Sequence, residues 1–230
     1  LPPPSVTATA TPEVSPEVAD TPTPTADMQS TCPDVRLTPT SEATSEPFYR
    51  ETFDSDRVEP DEHAWAMGPG VVIADGQLQV SSMDRIRLAT VPDVHLEQFS
   101  LEVDTRLFEV STNRTNAIIA FGTLDTPTEY NFVTFNNERI DIYEMQNGRE
   151  RFISSSQSLV DFSCPQHVAV VFQNGQIEIY VNGSIQSLAQ VSVKGDQLGL
   201  GVLYRGEAGI GQVFFDNLVI EAFDALQVNN

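Results

Sequence analysis

The chain is poor in several residues on which familiar chemistries depend. Of 230 residues, 2 are cysteine, 1 is tryptophan and 3 are histidine, and 12 basic residues face 33 acidic ones for a formal charge of −21. No Lys/Arg cluster interrupts that negative field, so a polyphosphate is repelled and nucleic acid is excluded as the expected partner. No run of 18 apolar residues occurs, so no membrane span is expected. His63, His95 and His167 lie far apart and match no zinc spacing. No Gly-x-Ser-x-Gly elbow is present, and the glycine-rich stretch Gly206–Gly211 lacks the lysine of a phosphate cradle.

Absence also divides the chain. Residues 1–47 contain no aromatic residue and no glycine, yet hold 10 of the 15 prolines and 15 Ser/Thr. Such a segment buries too little apolar surface to offset chain entropy. Its proline content favours extended conformations, so a disordered or semi-rigid stalk is expected. A globular domain is expected over 48–223, with a short tail over 224–230. Such a stalk is expected to hold the domain away from a cell surface or to join it to another module, so an extracellular or cell-surface setting is expected, with a lipid anchor upstream as one expectation.

From Phe48 the pattern is that of strands. His167–Gly183, HVAVVFQNGQIEIYVNG, reads as two alternating runs joined at Asn174-Gly175, a pair suited to a two-residue hairpin turn. Val71–Ile73 and Gln77–Val80 flank Asp75-Gly76 in the same way, and Phe99–Leu107 alternates along its length. Further strands are expected over 51–54, 85–90, 116–123, 130–135, 139–145, 149–153, 198–204 and 212–221. One helical turn is expected over Val91–Gln98, with Pro92 at its first position. About a dozen strands and almost no helix predict an all-β, antiparallel two-sheet sandwich or jelly roll. An immunoglobulin domain fits badly, because Cys32 and Cys164 stand 132 positions apart and Cys32 lies in the stalk.

Sugar recognition usually needs an aromatic platform with planar polar groups around it. Tyr143 stands on the face opposite Ile140 and Ile142, Tyr204-Arg205 ends a strand beside the glycine-rich loop, and Asn131 and Arg139 are expected on the same sheet. These five residues form the expected ligand site. Trp65 serves equally as a plug at one end of the core. Glu102 and Asp104 share a strand face, but position 106 is arginine, so they read as the wet face of an alternating strand and not as a hydrolytic pair. Asp141 and Glu144 are three apart, on opposite faces, and do not pair. Asn113-Arg114-Thr115 and Asn182-Gly183-Ser184 are glycan acceptors only where such sites are modified.

The order of the motifs resembles the concanavalin A-like lectin/glucanase superfamily, and in particular laminin-G-like and 3-keto-disaccharide-hydrolase-like domains of bacterial surface proteins. The residues carrying the resemblance are Glu51-Thr52-Phe53-Asp54, Trp65, Asp75–Val80, Glu129-Tyr130-Asn131-Phe132, Tyr180-Val181-Asn182-Gly183 and Phe215–Ile220. It implies two stacked antiparallel sheets, one with a concave face that in relatives often binds sugar. It also implies that the first and last strands are neighbours, which brings Asp54 and Asp216 within reach of a structural calcium ion. Calcium wants six to eight oxygens, so carbonyls and water would have to complete that site. The simpler expectation is that Asp216-Asn217 is a bulge in the last strand.

The expected function is therefore non-catalytic binding of carbohydrate or another cell-surface polymer. The alternatives are a structural or adhesion module that binds protein, and an atypical glycosidase-like enzyme. In an oxidising compartment two cysteines usually pair, and an internal Cys32–Cys164 disulfide is the favoured expectation. Two free thiols and an intermolecular bridge through Cys32 are the other two outcomes.

Overall fold

A computed structural model describes residues 32, 48–54, 65, 69–83, 85–108, 114–125, 128–192, 195–207 and 209–223. The expected stalk (apart from Cys32), the tail, His63 and Asn113 lie outside the described residues.

Among the described residues the chain forms fourteen strands: β1 (Tyr49–Glu51), β2 (Val71–Ala74), β3 (Gln77–Ser82), β4 (Arg85–His95), β5 (Phe99–Leu107), β6 (Thr115–Thr123), β7 (Glu129–Phe135), β8 (Arg139–Gln146), β9 (Arg149–Gln157), β10 (Gln166–Gln173), β11 (Gln176–Val181), β12 (Ser184–Gln190), β13 (Gln197–Tyr204) and β14 (Gly211–Ala222). They make two antiparallel sheets. An eight-stranded sheet runs β12-β11-β10-β5-β14-β3-β2 with β1 also on β14, and a six-stranded sheet runs β4-β13-β6-β7-β8-β9. Four two-residue turns, at Asp75-Gly76, Asn147-Gly148, Asn174-Gly175 and Asn182-Gly183, have both residues at positive φ. That backbone matches the right-handed twist of the flanking strands, which is why Asn-Gly and Asp-Gly occupy the turns.

The main core lies between the sheets. Leu101, Val103, Val168, Val170, Ile177, Ile179, Phe215 and Ile220 of one sheet meet Ile119, Phe121, Val133, Ile140, Ile142 and Leu200 of the other. Phe121 reaches across to Phe99 and Phe172, with ring centroids 5.7 Å away in both cases. Trp65 packs on Phe53 at 5.5 Å and is buried, so it plugs the core.

Several boundaries differ from expectation. The first strand is Tyr49–Glu51, with Phe53 at positive φ beyond its end. Val91–Gln98 forms no helical turn, because β4 continues to His95. This strand is an edge of its sheet, where the N–H that Pro92 lacks has no ladder partner to miss. Strand β12 was not expected at all: its sequence SIQSLAQ has no apolar alternation because, as the other sheet's edge, it is largely exposed. The last strand is bulged after Asp216, as the simpler expectation had it, with Asn217 at positive φ.

The two cysteines form the internal disulfide. The loop that carries Cys164 is held firmly: Phe162 N–H donates to Asn137 Oδ1 at 2.7 Å, and Leu107 N–H donates to the Phe162 carbonyl at 2.7 Å.

A curled sheet face with an aromatic row

The six-stranded sheet has a second apolar face, turned away from the core. Side-chain alternation sends Ile118 and Ala120 of β6, Tyr130 and Phe132 of β7, Met145 of β8 and Leu203 of β13 to this side, where all six are buried. Its shape follows from Arg205, which comes directly after β13. In sheet order β13 is three strands from β8 and four from β9. At about 4.8 Å per strand, a flat sheet would separate them by about 14 and about 19 Å, more than an arginine spans. Yet the Arg205 guanidinium carbon lies 5.8 Å from the Tyr143 ring centroid, and Nη2 lies 3.1 Å from Glu150 Oε2. The sheet therefore curls, its outer face is concave, and Arg205 spans it.

Across this face runs a row of four rings. Tyr130 meets Phe132 at 5.7 Å, Phe132 stacks on Tyr143 at 5.1 Å and 14°, and Tyr143 meets Phe152 edge-on at 5.8 Å. The row emerges from the interior: Tyr130 and Phe132 are buried, Tyr143 is half-buried and Phe152 is 57% exposed. Beneath Tyr143 lies Asp141, only 2% exposed. Its Oδ2 accepts from Arg139 Nε at 2.9 Å and from the Tyr143 hydroxyl at 3.2 Å, while Oδ1 accepts from Ser155 Oγ at 2.5 Å. Burial pushes the Tyr143 phenol up, Asp141 adds to this, and the Arg205 and Arg139 charges oppose it. Tyr130 is pushed up to about 12, first by burial and then by Glu150. Both phenols stay neutral hydrogen-bonding groups at ordinary pH.

Of the five expected ligand residues, the fold brings together three: Arg139, Tyr143 and Arg205. Asn131 is on the other face, sharing its parity with the core residues Val133 and Phe135. Its Nδ2 donates to the Ser192 carbonyl at 2.9 Å, and its buried Oδ1 has no partner among the described residues. Tyr204 is also turned inward, in step with Leu198, Leu200 and Val202. Its own loop wraps the ring so closely that a Cβ on Gly206 would stand 2.1 Å from the hydroxyl. Tyr204 is thus a packing residue. Phe152 was missed, although the Asn147-Gly148 turn pairs it with Tyr143 across β8 and β9.

The carboxylates weighed for hydrolysis are otherwise engaged. On the concave face Asp141 is held by Arg139, and Glu150, which the sequence did not single out, is held by Arg205. Glu144 points to the opposite side from Asp141 and takes Arg151. Glu102 and Asp104, on the outer face of the eight-stranded sheet, clamp His167: Nδ1 lies 2.9 Å from Asp104 Oδ1, and Nε2 lies 3.4 Å from Glu102 Oε2. His167 is thus held between two carboxylates and is only partly exposed. Its hydrogen bond to Asp104, then that to Glu102, raises its pKa to about 9 against the opposing effect of burial. A histidine raised from 6.5 contributes stability that is complete below about 6.5 and is lost as pH rises through about 9. The melting temperature should therefore fall between pH 7 and 10, and His167→Gln should flatten that slope. An imidazole that titrates near 6.5 by NMR would contradict this.

Burial raises the Asp216 carboxyl against the opposing hydrogen bond from Asn217 N–H, and the Asp104 charge, then that of Asp54, adds to the rise. Among the described residues no group of three or more His, Cys, Asp or Glu is placed to hold a metal ion. Asn182 makes a poor glycan acceptor, since its Nδ2 donates to Gln166 Oε1 at 2.7 Å and its Oδ1 accepts from His167 N–H. A separate depression of about 740 Å³ lies beside Glu97, Phe172, Val191, Ser192 and Asp196, and Phe172 there is buried.

No family model matches the chain, and no curated protein matches it in sequence. Among solved structures it is similar to the carbohydrate-binding module CBM66 from Bacillus subtilis, with 15% identity over 75% of this chain and 95% of that one, and a TM-score of 0.55. It is also similar to a Bacillus licheniformis β-glucanase, with 10% identity over 78% of this chain and 100% of that one, at TM-score 0.58. A galectin-like protein of unknown function from Bacillus subtilis aligns at 11% identity over 77% and 96%, again at 0.58. The chain has the concanavalin A-like lectin/glucanase fold, which carbohydrate-binding modules and glycoside hydrolases share.

Proposed function

We propose that the concave face of the six-stranded sheet binds carbohydrate without cleaving it. The observation that carries this is the aromatic row ending in solvent at Phe152, with the Arg139 and Arg205 guanidiniums beside Tyr143. A sugar ring lays its C–H face on an aromatic ring while its hydroxyls pair with planar polar groups at the edge. Both kinds of group are present here, and Asp141 locks the Arg139 side in place. The shared fold supports a carbohydrate ligand as one of its common uses. The disulfide supports an extracellular setting, where cell-surface and matrix glycans are met.

A glycan array probed with the full chain tests this. Tyr143→Ala and Phe152→Ala should each weaken the captured glycan about tenfold, equivalent to ~1.4 kcal/mol. Phe152 is exposed, so its loss leaves the core intact and isolates the contact. Silence across the array, with both variants indistinguishable from the parent, would overturn the proposal and favour a protein-binding module.

A further inference from the structure

The Arg205–Glu150 pair joins opposite sides of the concave face, from the end of β13 to β9, over a floor of Ile118, Phe132 and Leu203 that is shut from solvent. A ligand that lies across the face meets this bridge. The bridge is weak: its side chains are 46% and 37% exposed, and water screens an ion pair so exposed. Parting it leaves an arginine beside the half-exposed ring of Tyr143 and in need of an anion. Arg139 is held near the Tyr143 hydroxyl, because its Nε and that hydroxyl both donate to Asp141 Oδ2, and its two terminal nitrogens have no partner among the described residues. A neutral sugar would replace Glu150 with hydroxyls and lose the charge-assisted bond. A carboxylate restores it, and the planar guanidinium offers a second nitrogen for the carboxylate's other oxygen.

We propose that Arg205 is a specificity-determining residue of this face, exchanging the Glu150 carboxylate for that of an acidic sugar, so that the ligand opens the bridge and takes its place. This rests on the carbohydrate reading above and names the class of sugar. The protein's formal charge of −21 sets a limit on that class. A densely charged polymer is repelled, whereas one acidic residue on an otherwise neutral glycan feels a field screened beyond ~8 Å at physiological salt.

The test uses the full chain and oligosaccharides capped by glucuronate, galacturonate or a sialic acid, each paired with the same molecule carboxyl-reduced to its neutral form. At least one acidic member should bind at least tenfold more tightly than its reduced partner. Arg205→Gln should remove that preference, Arg205→Lys should restore part of it, and Glu150→Gln should tighten the acidic ligand about threefold because no internal carboxylate competes. Circular dichroism and a thermal melt confirm that each variant is folded. Neutral members bound as tightly as acidic ones, or an Arg205→Gln protein with unchanged preference, would overturn the inference and leave carbohydrate binding standing. No binding by any member, together with a silent array, would overturn both.

Discussion

Replacing Cys32 and Cys164 by serine should lower the stability of the sandwich by about 4–5 kcal/mol, and its melting temperature by roughly 10–20 °C. The bridge closes a loop across a sequence separation of 132 residues. In the chain-entropy model that closure chiefly restricts the unfolded state, and the effect grows with loop length. On the native side the Cys164 loop is already fixed by Asn137, Leu107 and the Gln166 side chain, which donates to the carbonyls of Asp161 and Cys164. The bridge therefore adds constraint where the fold is prepared for it. Paired melts of the parent with and without reductant, beside the serine double variant, measure the effect. A loss below ~1 kcal/mol would contradict it.

A second large effect is expected from Phe121→Ala, at about 3–5 kcal/mol. Phe121 belongs to the six-stranded sheet, yet it touches Phe99 and Phe172 of the eight-stranded one. Its removal opens a cavity at the junction of the two sheets, which backbones held by ladder hydrogen bonds on both sides cannot collapse to fill. Denaturant unfolding should show a lower midpoint with an unchanged slope, since the surface exposed on unfolding hardly alters. A loss under ~1.5 kcal/mol would mean that the sheets move together to close the gap.

Much of the fold was legible because local chemistry and global pattern agree. The hairpin from His167 to Gly183 combines strict alternation with Asn-Gly at its turn, and the register Val170 opposite Ile179 follows from the two together. The two edges were less legible. Strand β12 carries no apolar code because it is exposed, and Pro92 reads as a helix start until β4 is known to be an edge. The site was half legible, and parity explains the division. Tyr143 alternates with Ile140 and Ile142, so its face could be assigned from the sequence. Tyr204 has the same parity as Leu198, Leu200 and Val202, which places it inside; its position beside a glycine-rich loop had implied exposure. Asn131 sits among Tyr130, Phe132 and Val133, a run apolar on both sides, where alternation assigns no face. Curvature was not legible at all. Nothing local reveals that Arg205 meets residues three and four strands away, since that contact depends on twist accumulated over the whole sheet.

The same curvature decides where a ligand should be felt. The most direct measurement is amide chemical-shift mapping of the full chain while it is titrated with the tightest glycan from the array. The largest shifts should fall on Arg139–Phe152 and on Arg205, the two walls of the concave face. Shifts confined to Gln173–Gln190 on the outer face of the eight-stranded sheet, or to Glu97, Ser192 and Asp196 around the separate depression, would contradict the assignment of this face as the binding site.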